Sequence, residues 1–549
     1  MAASGATGES GWLDGSRAAD YVAPMARIGV FGWGIVAPKS PDIDTFASNL
    51  ESSESWLEPF NGFGPDTFLV GTPAFDIERY RTWIAERFPP RRFAQLVEKM
   101  DQPTLYAVGA FIQALGQNPG IETDLRRLGT AAHIYVGCGI GSIGVYHDVS
   151  LDLYHAQRRW DRFWSDPVRN PALAEHVTVG PDPNAPTDPS GVAPEEREKA
   201  EGAWWHYWAA KSPGLRSYLE TLAEIEGMNV EGEIEPGKIR LMKEKQRRTE
   251  RLEKEWGAPT PPWRSVSANT IWNIHNTPAS QISMLGRITG LAFAPVGACS
   301  TFGLTLKLAM DAIRRDEARA VVIGATDPPP HPLVVAAFYQ ARVISADGGV
   351  SKPLHGLRGT HVAGGSVIWV VGDWDYFTAK GYRPLGMEPV AVGMSSDAHH
   401  IITPSSEGPL TAIRLALEEA ELSPQEVGSW DLHATATPGD YLEVRNMREV
   451  LPASVLVTAR KGTFGHGMGG GGGWELTAQY LGMERGRIFP TPLAETDLHP
   501  SIRGVHGAFV FDRSIPAPAG IAGKLSMGIG GINACVLSRP IATTPGTTP

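Results

Sequence analysis

Five short apolar runs recur along this chain, most of them closing on a glycine or a small polar residue. They are RIGVFGWGIVAP (27–38), AAHIYVGCGIG (131–141), AVVIGATD (320–327), SVIWVVGDW (366–374) and MEPVAVGMS (387–395). Each is too short for a membrane span and too continuously apolar for a strand with one wet face. They read as buried strands. Helical patterns lie between them, and strands alternating with helices predict a layered α/β fold. The opening of the last run echoes that of the first, as a duplicated α/β unit would leave it. Local signals predict a helix over 42–55 with Asp42 or Asp44 as N-cap, and a single helix over about 92–117.

Residues 147–263 interrupt the pattern. Their middle is rich in proline, aspartate and glycine and is predicted to be loop. Their flanks carry Trp160, Trp164, Trp204, Trp205, Trp208, Trp256 and Trp263, so the segment is packed against something. It closes on a charged helix over 238–256. Residues 1–25 and 541–549 read as disordered tails. The expected organisation is a first half over 26–375 containing the insertion, and a second half over 385–540.

The formal net charge of -11 argues against a nucleic-acid partner. Three cysteines, Cys138, Cys299 and Cys535, are too few for a disulfide framework and point to reduced thiols in a cytoplasmic setting. Cys299 is the first candidate nucleophile. It sits in GACST, after an apolar strand and before a helix, where the helix dipole favours thiolate. The position also fits a small buried cysteine filling a corner. His433 in WDLHATATPGD, and Lys461 and His466 in RKGTFGHGMGG, stand where strands run into loops, the usual place for reactive groups in open α/β sheets. Each histidine alone fits a structural role as well. Metal ligation is not expected, because carboxylates and thiols at ligand spacing are missing nearby. The glycine run 469–473 fails as a phosphate loop, since Lys461 precedes the glycines.

Together these segments resemble the β-ketoacyl-acyl carrier protein synthases, elongating ketosynthases of the thiolase-like superfamily. GACSTFG is similar to the nucleophile elbow, LHATATPGD to the His-Gly-Thr-x-Thr-Pro motif, and KGTFGHGMGGGGGWE to the Lys-x-x-x-Gly-His stretch ending in glutamate. MGIGGINAC is similar to the Gly-Phe-Gly-Gly-Thr-Asn loop. The resemblance implies an α-β-α-β-α layered fold from two duplicated halves. It implies an acyltransferase that condenses a Cys299-bound acyl group with a malonyl thioester, in fatty acid, polyketide or specialised lipid synthesis. His433 and His466 would hold the enolate, with Lys461 and Glu475 supporting His466. Backbone N–H groups of Cys299 and Ile529 would form the oxyanion hole, and Thr435 and Thr437 would contact pantetheine. No cofactor is implied beyond the phosphopantetheine of acyl carrier protein, or coenzyme A, that carries the substrates. The implied partners are acyl carrier protein and a second copy of the chain, or a related subunit.

The departures concern gating. Met527 and Ile529 stand where the family has aromatic residues. The partner loop LRGTHVAGGSV keeps Arg358 but has Gly359 and Gly365 where acids are expected. Met527, Ile529, Asn533 and Arg358 are the gating candidates, in two loops expected to touch. Lys99, Arg247, Arg248 and Arg251 are candidates for docking an acidic carrier protein. The alternatives are transfer of the acyl group to an alcohol or amine, and a non-condensing scaffold subunit.

Overall fold

The computed structural model describes residues 26–64, 68–230 and 234–541; the two expected tails, apart from Ile541, lie outside them. The first sheet contains β1 (Ile28–Val36), β2 (Ala132–Gly137), β3 (Ala292–Phe293), β4 (Ala320–Asp327) and β5 (Gly365–Asp373), ordered β1-β5-β4-β2-β3. The second contains β6 (Met387–Ser396), β7 (Val427–Asp431), β8 (Leu456–Thr458), β9 (Ala508–Phe509), β10 (Ile521–Gly528) and β11 (Ile532–Pro540), ordered β9-β8-β7-β10-β11-β6.

The two sheets repeat one topology. In each, the first strand pairs antiparallel with the last, which pairs antiparallel with the strand before it. That strand then runs parallel to the second. β1, β2, β4 and β5 are buried along their whole length, which is why they read as unbroken apolar runs.

Helices Thr301–Arg314 and Met468–Glu484 pack on each other and on strands of both sheets, forming the middle layer. Gln102–Gly116 covers β1 and β5 on one outer face, and Glu407–Glu419 covers β6 and β11 on the other. The fold is thus thiolase-like, five layers of α-β-α-β-α.

Local readings shift in three places. The helix predicted over 92–117 is two helices, Arg91–Lys99 and Gln102–Gly116. Asp101 caps the second through the Gln102 N–H, and Pro103 sits in its first turn, where its missing donor costs nothing. The N-cap over 42–55 is Asp42, and the helix is shorter, Ile43–Asn49. The proline-rich middle of the insertion is not all loop. Asn170 caps a helix at Pro171–Thr178 through the Ala172 N–H.

The insertion's tryptophans pack chiefly on one another. Trp160 and Trp164 meet Tyr218 edge-on or tilted, while Trp204 and Trp208 form a second cluster with Leu173. The insertion therefore carries small apolar cores of its own, built from Ile143–Ser165, Pro194–Ala210, Pro213–Glu226 and Ile234–Trp256.

Candidate active site

The site forms where the two halves meet. Cys299 lies in a single 3-10 turn, Ala298–Ser300, that leads into helix Thr301–Arg314. Ala298 holds φ 47, a left-handed conformation unusual for a residue with a side chain. The turn is tied to the second half by the Ser300 hydroxyl, which donates to Ser526 O at 3.0 Å and Ile532 O at 2.8 Å. Gly528 lies so close that a Cβ there would stand 2.8 Å from Gly297 O and 3.3 Å from the Cys299 nitrogen. The N–H groups of Ile529 and of Cys299 itself act on the Cys299 sulfur.

The helix-dipole argument for a ready thiolate does not prevail. Burial pushes the Cys299 thiol up to about 11, against the pull of the two amides and Lys461. At rest Cys299 is a thiol.

His433 and His466 face each other with ring centroids 5.4 Å apart at 81°. Burial drives both well below the usual histidine value, and Lys461 and Lys524 add repulsion. Both imidazoles are neutral at physiological pH. Lys461 donates to the His433 carbonyl and stands 3.5 Å from His433 Nδ1. An ammonium only donates, so Nδ1 accepts and the proton of His433 sits on Nε2. Lys461 also donates to Glu475 Oε1 at 2.7 Å. The expectation that Lys461 and Glu475 hold His466 is thus corrected: of the two histidines, Lys461 hydrogen-bonds to His433, in the loop that leaves β7.

Two carboxylates shape that loop from helix Gly439–Val450. Glu443 accepts the His433 and Ala434 N–H groups at 2.6 and 2.7 Å, and Asp440 accepts those of Thr435 and Leu354 at 2.8 and 2.9 Å. Burial pushes Glu443 up to about 7 and Asp440 up to about 6. The hydroxyls of Thr435 and Thr437 bond each other at 3.0 Å, beside His433 in sequence.

The glycine run is helical. Gly469–Gly473 form the first turns of Met468–Glu484 and are all buried. A Cβ on Gly471 would lie 3.7 Å from His466 Nδ1, and one on Gly472 would lie 3.9 Å from Cys299 O. The start of this helix thus lies close to both the Cys299 turn and His466. Its first turn is anchored by Asp327, whose carboxylate accepts N–H from Gly139, Ile140 and Gly469, each at 2.8 Å. Burial pushes Asp327 up to about 7.

The gating candidates are less tightly gathered. Ile529 is 41% exposed at the rim, Met527 packs on the second-half core, and Asn533 donates to Asp397 Oδ1 at 2.7 Å. Arg358 pairs with Asp347. The two loops expected to touch send their hydrogen bonds elsewhere: Gly530 to Ile401 O, Gly359 to Ala436 O and Ala363 to His466 O. Gly359 and Gly365, with φ 123 and 139, cannot be acids. A Cβ would come within 2.6 Å of Ile344 C in one case and 2.2 Å of Val36 O in the other.

Of the docking candidates, Arg247 and Arg248 share Glu244 and Lys99 lies near Glu98, while Arg251 lines a groove with Arg248, Glu224 and Glu255. None of these adjoins Cys299 in sequence or in its hydrogen bonding.

Among the groups that escaped the sequence reading is a buried lysine. Lys524, on β10, is buried 2.9 Å from Glu475 Oε2 and 3.9 Å from Asp431 Oδ1, and Arg460 pairs with Asp431 Oδ2 at 2.8 Å. The available signal was a lone lysine in the apolar strand IAGKLSM.

Comparison with known proteins bears on both halves. Residues 243–370 match the family described as Beta-ketoacyl synthase, N-terminal domain, and residues 388–494 match Beta-ketoacyl synthase, C-terminal domain. Both domains of the β-ketoacyl synthase family are thus matched, in their proper order, over somewhat less than half of the chain. Among relatives, Nodulation protein E of Rhizobium meliloti is 28% identical over 236 residues, 41% of this chain and 58% of that protein. The 3-oxoacyl-[acyl-carrier-protein] synthase 2 of Synechocystis is 29% identical over 246 residues, 42% of this chain and 58% of that protein. The chain thus spans under two thirds of the curated relatives it matches. Among solved structures, the ishigamide ketosynthase/chain length factor has a TM-score of 0.65 at 18% identity, covering 94% of this chain and 100% of that one. A β-ketoacyl synthase from Burkholderia phymatum gives 0.65 at 17%, with the same coverage. Among the described residues, no helix of this chain is long and apolar enough to cross a membrane.

Proposed function

We propose that the chain is a condensing β-ketoacyl synthase. The observation that carries this reading is a buried Cys299 with amides directed at its sulfur, together with two neutral imidazoles that face each other, one of them bonded to Lys461. In the first half-reaction, Cys299 attacks an acyl thioester. The thioester C–S bond breaks, a new C–S bond forms, and the thiol proton ends on the departing pantetheine sulfur. The N–H groups of Cys299 and Ile529 stabilise the oxyanion.

A malonyl thioester then loses carbon dioxide. The electron pair of the broken C–C bond becomes an enolate, which accepts the Nε2–H of His433 and is faced by His466. Neutral donors suit this step, because a protonated imidazole would quench the carbanion by giving up its proton. The carbanion attacks the acyl carbonyl, the C–S bond to Cys299 breaks, and the sulfur takes a proton from solvent. Thr435 and Thr437 are the pantetheine contacts, and Met527, Ile529, Asn533 and Arg358 border the entrance.

We assign acyl carrier protein as the donor's bearer, with Arg251 as its point of contact, and a cytoplasmic homodimer as the working form. The outer edge of β3 has no neighbouring strand among the described residues. Leu291 and Val296 beside it are 56% and 53% exposed, a combination that invites pairing of two edges. The insertion over 147–263 is read as a cap beside the entrance.

Mass spectrometry tests the reading. With acyl donor, an acyl adduct should form on Cys299, and addition of malonyl-carrier protein should release carbon dioxide and a β-ketoacyl product. Cys299→Ala should lose the adduct. His466→Ala should keep it and lose decarboxylation. Absence of an adduct would leave the scaffold role, and an adduct without decarboxylation would favour transfer to an alcohol or amine.

A further inference from the structure

Lys524 is a buried cation that takes no part in the proposed condensing steps. Its ammonium donates to the carbonyls of Leu432, at 3.2 Å, and Leu525. It stands 2.9 Å from Glu475 Oε2, an oxygen that accepts no hydrogen bond and is held by charge alone. Lys461 already neutralises Glu475 through the other oxygen. Burying a second ammonium is costly and is unnecessary for pairing that carboxylate.

The groups facing Lys524 are Asp431 on β7, His433 in the loop beyond it and Glu443 on helix Gly439–Val450. Arg460, Lys461 and His466 come from the segment after β8, Glu475 from the glycine helix and Cys535 from β11. Arg460, Lys461 and Lys524 are set against the carboxylates of Asp431 and Glu475. Burial raises Asp431 and pushes Glu443 up to about 7. The cluster therefore keeps an excess of positive charge behind the two imidazoles.

We propose that Lys524 is a positioning residue of the site: it fixes the Glu475–Lys461 pair against the loop of His433 and supplies a second positive charge behind His433 and His466. It touches no substrate. Its effect reaches the reaction through the two histidines, whose protonated forms it disfavours together with Lys461. The inference rests on the condensing role of those histidines, so its test reads them without turnover.

The full-length protein carrying Lys524→Met would be labelled in its histidines and titrated by NMR beside the wild type. Removing a positive charge stabilises an imidazolium, so the His433 and His466 midpoints should both rise, by about 1 pH unit or more for a charge this near. The acid limb of malonyl-thioester decarboxylation should move up by the same amount. A second variant, Lys524→Gln, removes the same charge while keeping a hydrogen-bond donor for the carbonyls of Leu432 and Leu525, and serves if the methionine variant does not fold. Histidine midpoints unchanged in a folded variant would overturn the inference. So would failure of both variants to fold, which would mark Lys524 as a purely structural ion. A wild-type protein that releases no carbon dioxide would overturn the proposed function instead, while leaving the titration to judge Lys524.

Discussion

Replacing single glycines of the run 469–473 by alanine separates packing from backbone propensity within one helix. An alanine is favoured over glycine in a helix by about 1 kcal/mol. At Gly470 the nearest atom to an added Cβ is Ala325 O at 3.5 Å, an ordinary contact. Gly470→Ala should therefore stabilise the protein by up to about 1 kcal/mol. At Gly473 the same methyl would lie 2.5 Å from Val367 Cγ1 and 2.6 Å from the Phe302 ring. Both neighbours are fully buried on β5 and the nucleophile helix and have nowhere to retreat. Overpacking of this kind costs roughly 1–3 kcal/mol, and the upper half applies here. After the propensity gain, Gly473→Ala should lose about 1–2 kcal/mol. The two variants should thus differ by about 2–3 kcal/mol in urea denaturation, followed by tryptophan fluorescence with Cys299 alkylation as a second probe. A Gly473→Ala protein as stable as Gly470→Ala would refute the claim that close approach dictates glycine at that position.

Three further outcomes are expected. Because burial holds the Cys299 thiol near 11, its alkylation by iodoacetamide should climb about tenfold per pH unit across the neutral to mildly alkaline range, tracking the thiolate fraction; a plateau near neutrality would show a preformed thiolate. Arg460→Met leaves Asp431 without its guanidinium and should cost about 3–5 kcal/mol, with much of it recovered by Asp431→Asn in the same chain; a single-variant loss below about 1 kcal/mol would contradict the buried pairing. Asp327→Asn turns an amide donor toward the N–H of either Gly469 or the Gly139–Ile140 pair, and should cost about 1–3 kcal/mol, checked by the urea midpoint.

Much of the site was legible because its groups sit in short motifs at strand ends. Cys299, His433, Lys461, His466 and Glu475 could each be named from a few neighbouring residues, and the strands around them from unbroken apolar runs. The electrostatics were less legible. The height of the Cys299 pKa depends on how completely the second half covers the elbow, and no local pattern records that. Lys524, Asp431 and Arg460 come from three different strands or their ends, and their pairing exists only once β7, β8 and β10 lie side by side. Glu443 and Asp440 were hidden for another reason: on a helix, acids read as a wet face. The break at Asp101 was available from its capping aspartate and Pro103, but the apolar content of the following residues masked it.

The division of the site between two repeats has a consequence for the protein's synthesis. The nucleophile belongs to the earlier half, whereas the amide of Ile529, the histidines and the glycine helix all emerge later from the ribosome. Until the last strands have formed, Cys299 has neither its cover nor the Ile529 amide. A nascent or truncated chain therefore carries this sulfur uncovered, its thiol back near the ordinary cysteine range, and the muted thiol of the finished protein appears only with completion of the second sheet.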